Sequence, residues 1–298
     1  MIEAGIDAVR ALLLAKPRPN GFAERRQRLD AIAEKPVAPD VTIEAAAAGN
    51  IPLEWSYAPG SDPTRVLLFF HGGGYCSGSI ASHRGMVVEA GRAGQMRTLA
   101  VGYRLAPEHP FPAALEDGLA AYRYLLTQGI APSAIALGGD SAGGGLALAM
   151  MLRLRAEAGP LPACAWLVSP WVDLAMTGES LKTKADADPL IHKDYLEELA
   201  SAYLNGHDPA DPLVSPLKAG LEGLPPLLIQ VGSDETLLDD ATRIAARAGA
   251  ADVAVTLEIW PRMIHAWHLW AYRLEEGREA LAAAGAYLKA RLDARKAE

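Results

Sequence analysis

From Arg65 almost to the C-terminus, short apolar runs alternate with stretches of helical periodicity, and that alternation restricts the chain to few architectures. Val66-Leu67-Leu68-Phe69-Phe70 has no polar break, the mark of a strand covered on both faces. A helix is predicted from about Ser82 to Gly94, then a strand from Thr98 to Val101 and a helix from Ala113 to Thr127. A strand from Ala134 to Leu137, a helix from Gly144 to Ala158 and a strand from Ala163 to Val168 follow. The rhythm resumes later with strand Leu227 to Val231, helix Asp239 to Ala248, strand Val253 to Ile259 and a last helix from about Leu274 to Leu292. Such an order implies an α/β fold, a mostly parallel central sheet with helices on both faces. Upstream, Ile51, Leu53, Trp55 and Tyr57 repeat with period two, and Gly49-Asn50 separates them from Val41-Thr42-Ile43, which predicts a hairpin.

Two regions break the rhythm. Ile2 to Leu14 and Phe22 to Ala33 read as helices, divided by Lys16-Pro17-Arg18-Pro19-Asn20-Gly21 and closed by Pro36 and Pro39. Gly178 to Gly206 places Tyr195, Leu196, Leu199 and Tyr203 at helical spacing where a strand is due. Both are candidates for a cap over one edge of the sheet, from about 1–40 and 178–206. Arg25, Arg26 and Arg28 read as a solvated basic face of the second helix.

A chain of 298 residues removes roughly three-quarters of its unfolded surface from water, so a single domain over 1–298 needs no disulfide or structural metal. Cys76 and Cys164 form no metal-spaced pair, and the expected location is the cytoplasm, with both thiols reduced. The balance of 28 basic against 36 acidic residues, with no basic block, argues against nucleic acid as a partner. No run approaches the ~18 apolar residues of a membrane span, and Ala11 to Ala15 is too short for a signal core, so no stable membrane association is expected.

The chemistry concentrates in three places. Gly139-Asp140-Ser141-Ala142-Gly143 lies between a predicted strand and a predicted helix, the setting of a nucleophile elbow that lifts a serine hydroxyl above a sheet. His71-Gly72-Gly73-Gly74 follows directly on the buried strand, and a tight glycine loop there turns backbone N–H groups toward a developing oxyanion. Together with the N–H of Ala142, Gly73 and Gly74 are candidate donors. Serine needs a base, and the base an orienting acid, in the chain order Ser, Asp or Glu, His. His265 stands in a loop directly after the strand Val253 to Ile259, whereas His192 and His207 fall in the irregular stretch; His268 is the runner-up, read as a packed or surface histidine. The acid belongs after the strand Leu227 to Val231, which leaves Asp234, Glu235, Asp239 and Asp240. Asp188 and Asp211 head Asp-Pro-Leu strings but follow no strand of the main sheet.

These motifs, with Tyr103-Arg104-Leu105-Ala106-Pro107-Glu108-His109-Pro110-Phe111-Pro112 and Met263-Ile264-His265, resemble the hormone-sensitive-lipase-like bacterial esterases, in the branch with Gly-Asp-Ser-Ala-Gly at the elbow. The resemblance spans about Val66 to the C-terminus. It implies an α/β-hydrolase fold with a helical cap, Ser141 as nucleophile, His265 as base and oxyanion donors at Gly73, Gly74 and Ala142. Where that family has Asp-Pro-Leu-x-Asp, this chain has Glu235-Thr236-Leu237-Leu238-Asp239, so Glu235 is favoured as the acid over Asp234. The expected function is hydrolysis of short- to medium-chain acyl esters through a serine acyl-enzyme, without metal or organic cofactor. Lactones and acetylated small molecules are rival substrates, and a non-catalytic receptor of the same fold is the rival class. Leu190 and Tyr195 read equally as pocket lining and as helix packing, Cys76 as a small buried filler, and the oligomeric state as monomer or homodimer.

Overall fold

The computed structural model describes residues 5–31 and 37–294. Eight strands form one sheet in the order β1-β2-β4-β3-β5-β6-β7-β8. The hairpin β1 (Thr42–Ala48) and β2 (Ile51–Tyr57) is antiparallel, and β2 pairs antiparallel with β4 (Met96–Val101). All other neighbours, from β4 through β3 (Asp62–Phe70), β5 (Ile135–Asp140), β6 (Cys164–Val168) and β7 (Leu227–Gly232) to β8 (Val255–Trp260), are parallel.

The period of two divides the buried run of β3 between two layers. Leu67 and Phe69 face α3 (Ile80–Ala93) and α9 (Glu275–Ala294), where Met86, Val87, Leu281, Ala284 and Leu288 complete a core. Val66, Leu68 and Phe70 face the opposite core, built with α4 (Ala113–Thr127), α5 (Ala142–Ala156) and α8 (Leu238–Ala250). Each such side chain, fully removed from water, contributes about 1.5–3 kcal/mol.

Strand order fixes where a ligand belongs. From β3 the chain moves outward to β4, then returns to β5 on the other side of β3. Loops leaving β3 and β5 therefore diverge, and the crevice beyond their carboxyl ends is the topological switch point where open α/β sheets bind ligands.

The structure extends β5 beyond the predicted end at Leu137 to Asp140, because Gly138, Gly139 and Asp140 continue the ladder opposite Trp166, Leu167 and Val168. Only Ser141 is left between strand and helix. The two N-terminal helices are α1 (Ile6–Leu14) and α2 (Gly21–Asp30); the expected extensions at 2–4 and 32–33, and Pro36, lie outside the described residues. The irregular stretch carries α6 (Ser180–Thr183) and α7 (Lys193–Leu204). α2 and α7 are tied by a bond from Arg25 to Glu198, and Arg18, just before α2, bonds Asp194 at 2.7 Å. The reading of α2 as a solvated basic face fails for Arg25, which is 7% exposed and stacks its guanidinium over the Tyr195 and Phe22 rings. A long stem and a delocalised charge suit it to an aromatic setting.

Phe69 is 1% exposed and packs against Trp166 at 5.8 Å between centroids, so Phe69→Ala leaves a void that rigid neighbours cannot fill. The expected cost is about 3–5 kcal/mol, read as a lower urea midpoint at unchanged slope. Ile259→Ala, on the exposed edge strand at 47% accessibility, is expected to move stability by less than about 0.5 kcal/mol in the same titration.

Candidate active site

Ser141 sits at φ 54° and ψ −122°, a backbone conformation that L-residues avoid and that surrounding structure must enforce. Its N–H donates to Val168 O at 2.8 Å, and its carbonyl accepts from Trp171, Gly144 and Gly145 at 2.9, 3.0 and 3.2 Å. The crossing of α5 over β3 is so close that a Cβ on Gly143 would lie 2.0 Å from Phe70 O. Only glycine fits there.

The loop after β3 is braced on its outer side. Tyr103 donates its hydroxyl to His71 O at 2.7 Å and stacks on the His71 ring at 4.2 Å. Gly73 has φ 108°, and its carbonyl accepts from the N–H groups of Cys76 and Ser77 at 3.2 and 3.0 Å. Gly74 also has positive φ, and a Cβ on it would meet the Leu199 side chain of α7 at 2.3 Å. Ala142 opens α5, where the N–H groups of the first two residues have no intrahelical acceptor and the helix dipole is positive.

His265 lies beyond β8. Its Nδ1 is 2.9 Å from Glu235 Oε2, and both residues are buried. The other Glu235 oxygen, Oε1, accepts from the Ser169 hydroxyl at 2.9 Å and from Gly232 N–H at 2.5 Å. Burial pushes the Glu235 carboxyl above its ordinary range, against the pull of its bond to His265. Burial also opposes charge on His265, but the bond to Glu235 and its negative charge outweigh it, and the imidazole pKa is raised above 6.5. With Nδ1 engaged, Nε2 is the nitrogen left for chemistry.

Ser141, His265, Gly73 and Gly74 line one cavity of about 500 Å³, with Trp171, Leu190, Ile191, Tyr195 and Leu199 among its apolar walls. Leu190 and Tyr195 thus line the pocket. The remaining candidates stand apart from the His265–Glu235 pair. Asp234 accepts from Arg10 of α1 at 2.8 Å. Asp239 accepts from Ser180 N–H, and Asp240 from the N–H groups of Val172 and Asp173. His207 pairs with Asp211 at 2.7 Å, and His192 precedes α7 as its N-cap. Of the two readings of His268, packed or surface, the structure has the packed one: it is buried 2.9 Å from Gln230, and burial lowers its pKa to about 3. Asp188 braces the neighbour of Glu235, accepting from Thr236 N–H at 2.8 Å. Cys76 is buried, and burial raises its thiol pKa to about 12.

A family model described as the alpha/beta hydrolase fold matches residues 67–269. An acetyl-hydrolase of Streptomyces hygroscopicus is 47% identical over 246 residues, 83% of this chain and 82% of that one. The crystal structure of an esterase from the bacterial hormone-sensitive lipase family superposes with a TM-score of 0.94 at 45% identity, covering 96% of this chain and 98% of the other. EstE5, crystallised after soaking with p-nitrophenyl butyrate, gives 0.94 at 44% identity over 97% and 100% of the two chains. The chain belongs to the bacterial hormone-sensitive lipase family. As a member it is a carboxylic-ester hydrolase of the α/β-hydrolase fold.

Two residues of this lipase-family site escaped the sequence. Ser169 donates to Glu235 and accepts from Ala266 N–H at 3.2 Å, so one hydroxyl links the Glu235 carboxyl to the loop carrying His265. Its signal was positional: it follows the one late parallel strand, Ala163 to Val168, whose end had no polar candidate. Arg10 donates to Asp234, to Arg262 O at 2.9 Å and to Ala187 O at 2.6 Å, joining α1 to both loops that carry the pair. Nothing in the local pattern of α1 marks it.

Titration of the His265 imidazole by NMR is expected to give a pKa above 6.5. Glu235→Gln, which removes the charge that favours the imidazolium, is expected to lower it.

Proposed function

We propose that this hydrolase cleaves short- to medium-chain acyl esters through an acyl-enzyme on Ser141, with His265 as base and Glu235 as the acid that orients it. The observation that carries this reading is the buried 2.9 Å bond from His265 to Glu235 on the cavity that also holds the strained Ser141. His265 Nε2 takes the Ser141 proton as Oγ bonds to the acyl carbon, and the N–H groups of Gly73, Gly74 and Ala142 receive the oxyanion. The tetrahedral species collapses, the C–O bond to the alcohol breaks, and the leaving oxygen takes the proton from Nε2. Water repeats the sequence and frees the acid and Ser141. Every proton is moved by these side chains, so the reaction calls for neither metal nor organic cofactor.

The acyl range rests on a modest, mainly apolar cavity and on relatives named for acetyl and examined with butyryl esters. The walls that residues between Leu12 and Leu29 and between Pro189 and Leu199 supply belong to a cap, from about 1–40 and 178–206, on a single domain. We place the enzyme in the cytoplasm, in keeping with two buried cysteines that form no disulfide, as a monomer or homodimer without nucleic-acid partners. Among the described residues no helix is long and apolar enough to cross a membrane.

With p-nitrophenyl esters, Ser141→Ala is expected to abolish acid release, and equal rates for the variant and the parent enzyme would overturn the mechanism. Glu235→Gln is expected to lower kcat by about 10²- to 10⁴-fold, whereas Asp234→Asn, outside the pair, is expected to stay within about threefold. Because the base must be neutral to accept a proton, kcat/KM falls as pH drops through the raised His265 pKa. In Glu235→Gln that acid limb moves to lower pH. A series from acetyl to dodecanoyl is expected to peak at or below octanoyl, and a maximum at the longest chain would exclude the proposed range.

A further inference from the structure

Asp140, the last residue of β5, is 2% exposed and stands beside the proposed nucleophile. Its Oδ1 accepts the Gly72 N–H at 2.8 Å, and its Oδ2 is 3.2 Å from His83 Nε2. The other ring nitrogen of His83 lies 2.8 Å from Ser82 Oγ. Ser82 is in turn locked by a reciprocal capping box with Ser79 at the start of α3. His83 is also 2% exposed, and both it and Asp140 line the catalytic cavity.

A carboxylate placed here is costly. It is removed from water, and its charge opposes any negative charge that develops nearby. A neutral side chain would fill the same space without that penalty. What the carboxylate supplies is two strong acceptor atoms, one for a backbone N–H of the glycine loop and one for a ring held by α3. The β3 ladder ends with Phe70 opposite Gly139, so Gly72 has no strand partner, and Asp140 takes that place. Gly72 immediately precedes Gly73 and Gly74, so anchoring its N–H restrains the entry to the glycine turn, while the Gly73 carbonyl, held by Cys76 and Ser77, restrains its exit.

We propose that the Asp140–His83 pair is a positioning device for the oxyanion loop, locking the glycine N–H groups onto the elbow that carries the nucleophile. This rests on the serine mechanism given above. Neither residue touches the reacting atoms. Their effect passes through Gly72, and the same carboxylate adds to Glu235 in favouring the His265 imidazolium.

The test uses the full-length enzyme with Asp140→Ala, Asp140→Asn, His83→Ala and His83→Gln. Active sites are counted with a fluorophosphonate that labels the serine, so misfolded protein drops out of the rate. For both alanine variants, kcat per labelled site on p-nitrophenyl butyrate is expected to fall about 10- to 100-fold, with KM within about threefold. The inhibition constant of a trifluoromethyl ketone, which places an anionic oxygen in the hole, is expected to rise by the same factor. Asn and Gln, which keep an acceptor for Gly72 and a donor toward Asp140, are expected to recover most of that loss. Alanine variants with kcat per site within about threefold of the parent would overturn the proposal, as would a loss of kcat that leaves ketone affinity unchanged. Failure of the serine mechanism itself reads out separately, as hydrolysis and labelling that persist in Ser141→Ala.

Discussion

The contact on which the site depends is the near-touching of two backbones, α5 against the end of β3. Phe70 O occupies the space that a side chain on residue 143 would need. That proximity obliges the chain to turn from strand to helix within one residue, and the residue that absorbs the turn is Ser141, at positive φ. Two sheet cores hold the strands and helices in this arrangement, and the strain at Ser141 is borne by its hydrogen bond to Val168 and by those it accepts from Trp171 and the first turn of α5. The placing of that serine on the cavity wall is therefore a product of packing beneath it, before any partner side chain is considered.

A second constraint is electrostatic. Glu235 is fully buried, so its charge is tolerable only where donors meet its oxygens, and Gly232, Ser169 and His265 provide them. The competition between burial and pairing raises the pKa of both members of the pair. In the proposed mechanism a raised imidazole pKa makes His265 a stronger base for the Ser141 hydroxyl. Asp234, one residue away, lies nearer water and ties its turn to α1 through Arg10. Adjacent carboxylates thus have unlike tasks because successive residues of the turn face different surroundings.

Much of this was legible in the chain, for identifiable reasons. The run Val66 to Phe70 announced a strand buried on both faces because period-two burial against two helical layers leaves no room for a polar break. Glycines at 73 and 143 announced close backbone approach because any Cβ there collides with a carbonyl or a chain return. His265 was recoverable from its place after a strand. Other features were not. The end of β5 was set too early because Gly138 and Gly139 look like turn residues, whereas parallel pairing with β6 carries them on as strand. Arg25 was read as solvated because its aromatic neighbour Tyr195 and its partner Glu198 lie about 170 residues away in sequence. Ser169 and Arg10 act across 66 and 224 residues respectively, a separation no local pattern reports.

Leu199 of α7 abuts Gly74, so a wall of the substrate chamber is also the support of a proposed oxyanion donor. If the glycine turn acts as proposed, selectivity and turnover share that side chain: trimming Leu199 to admit a bulkier molecule also strips one contact from the turn, leaving it to the bonds at Gly72 and Gly73.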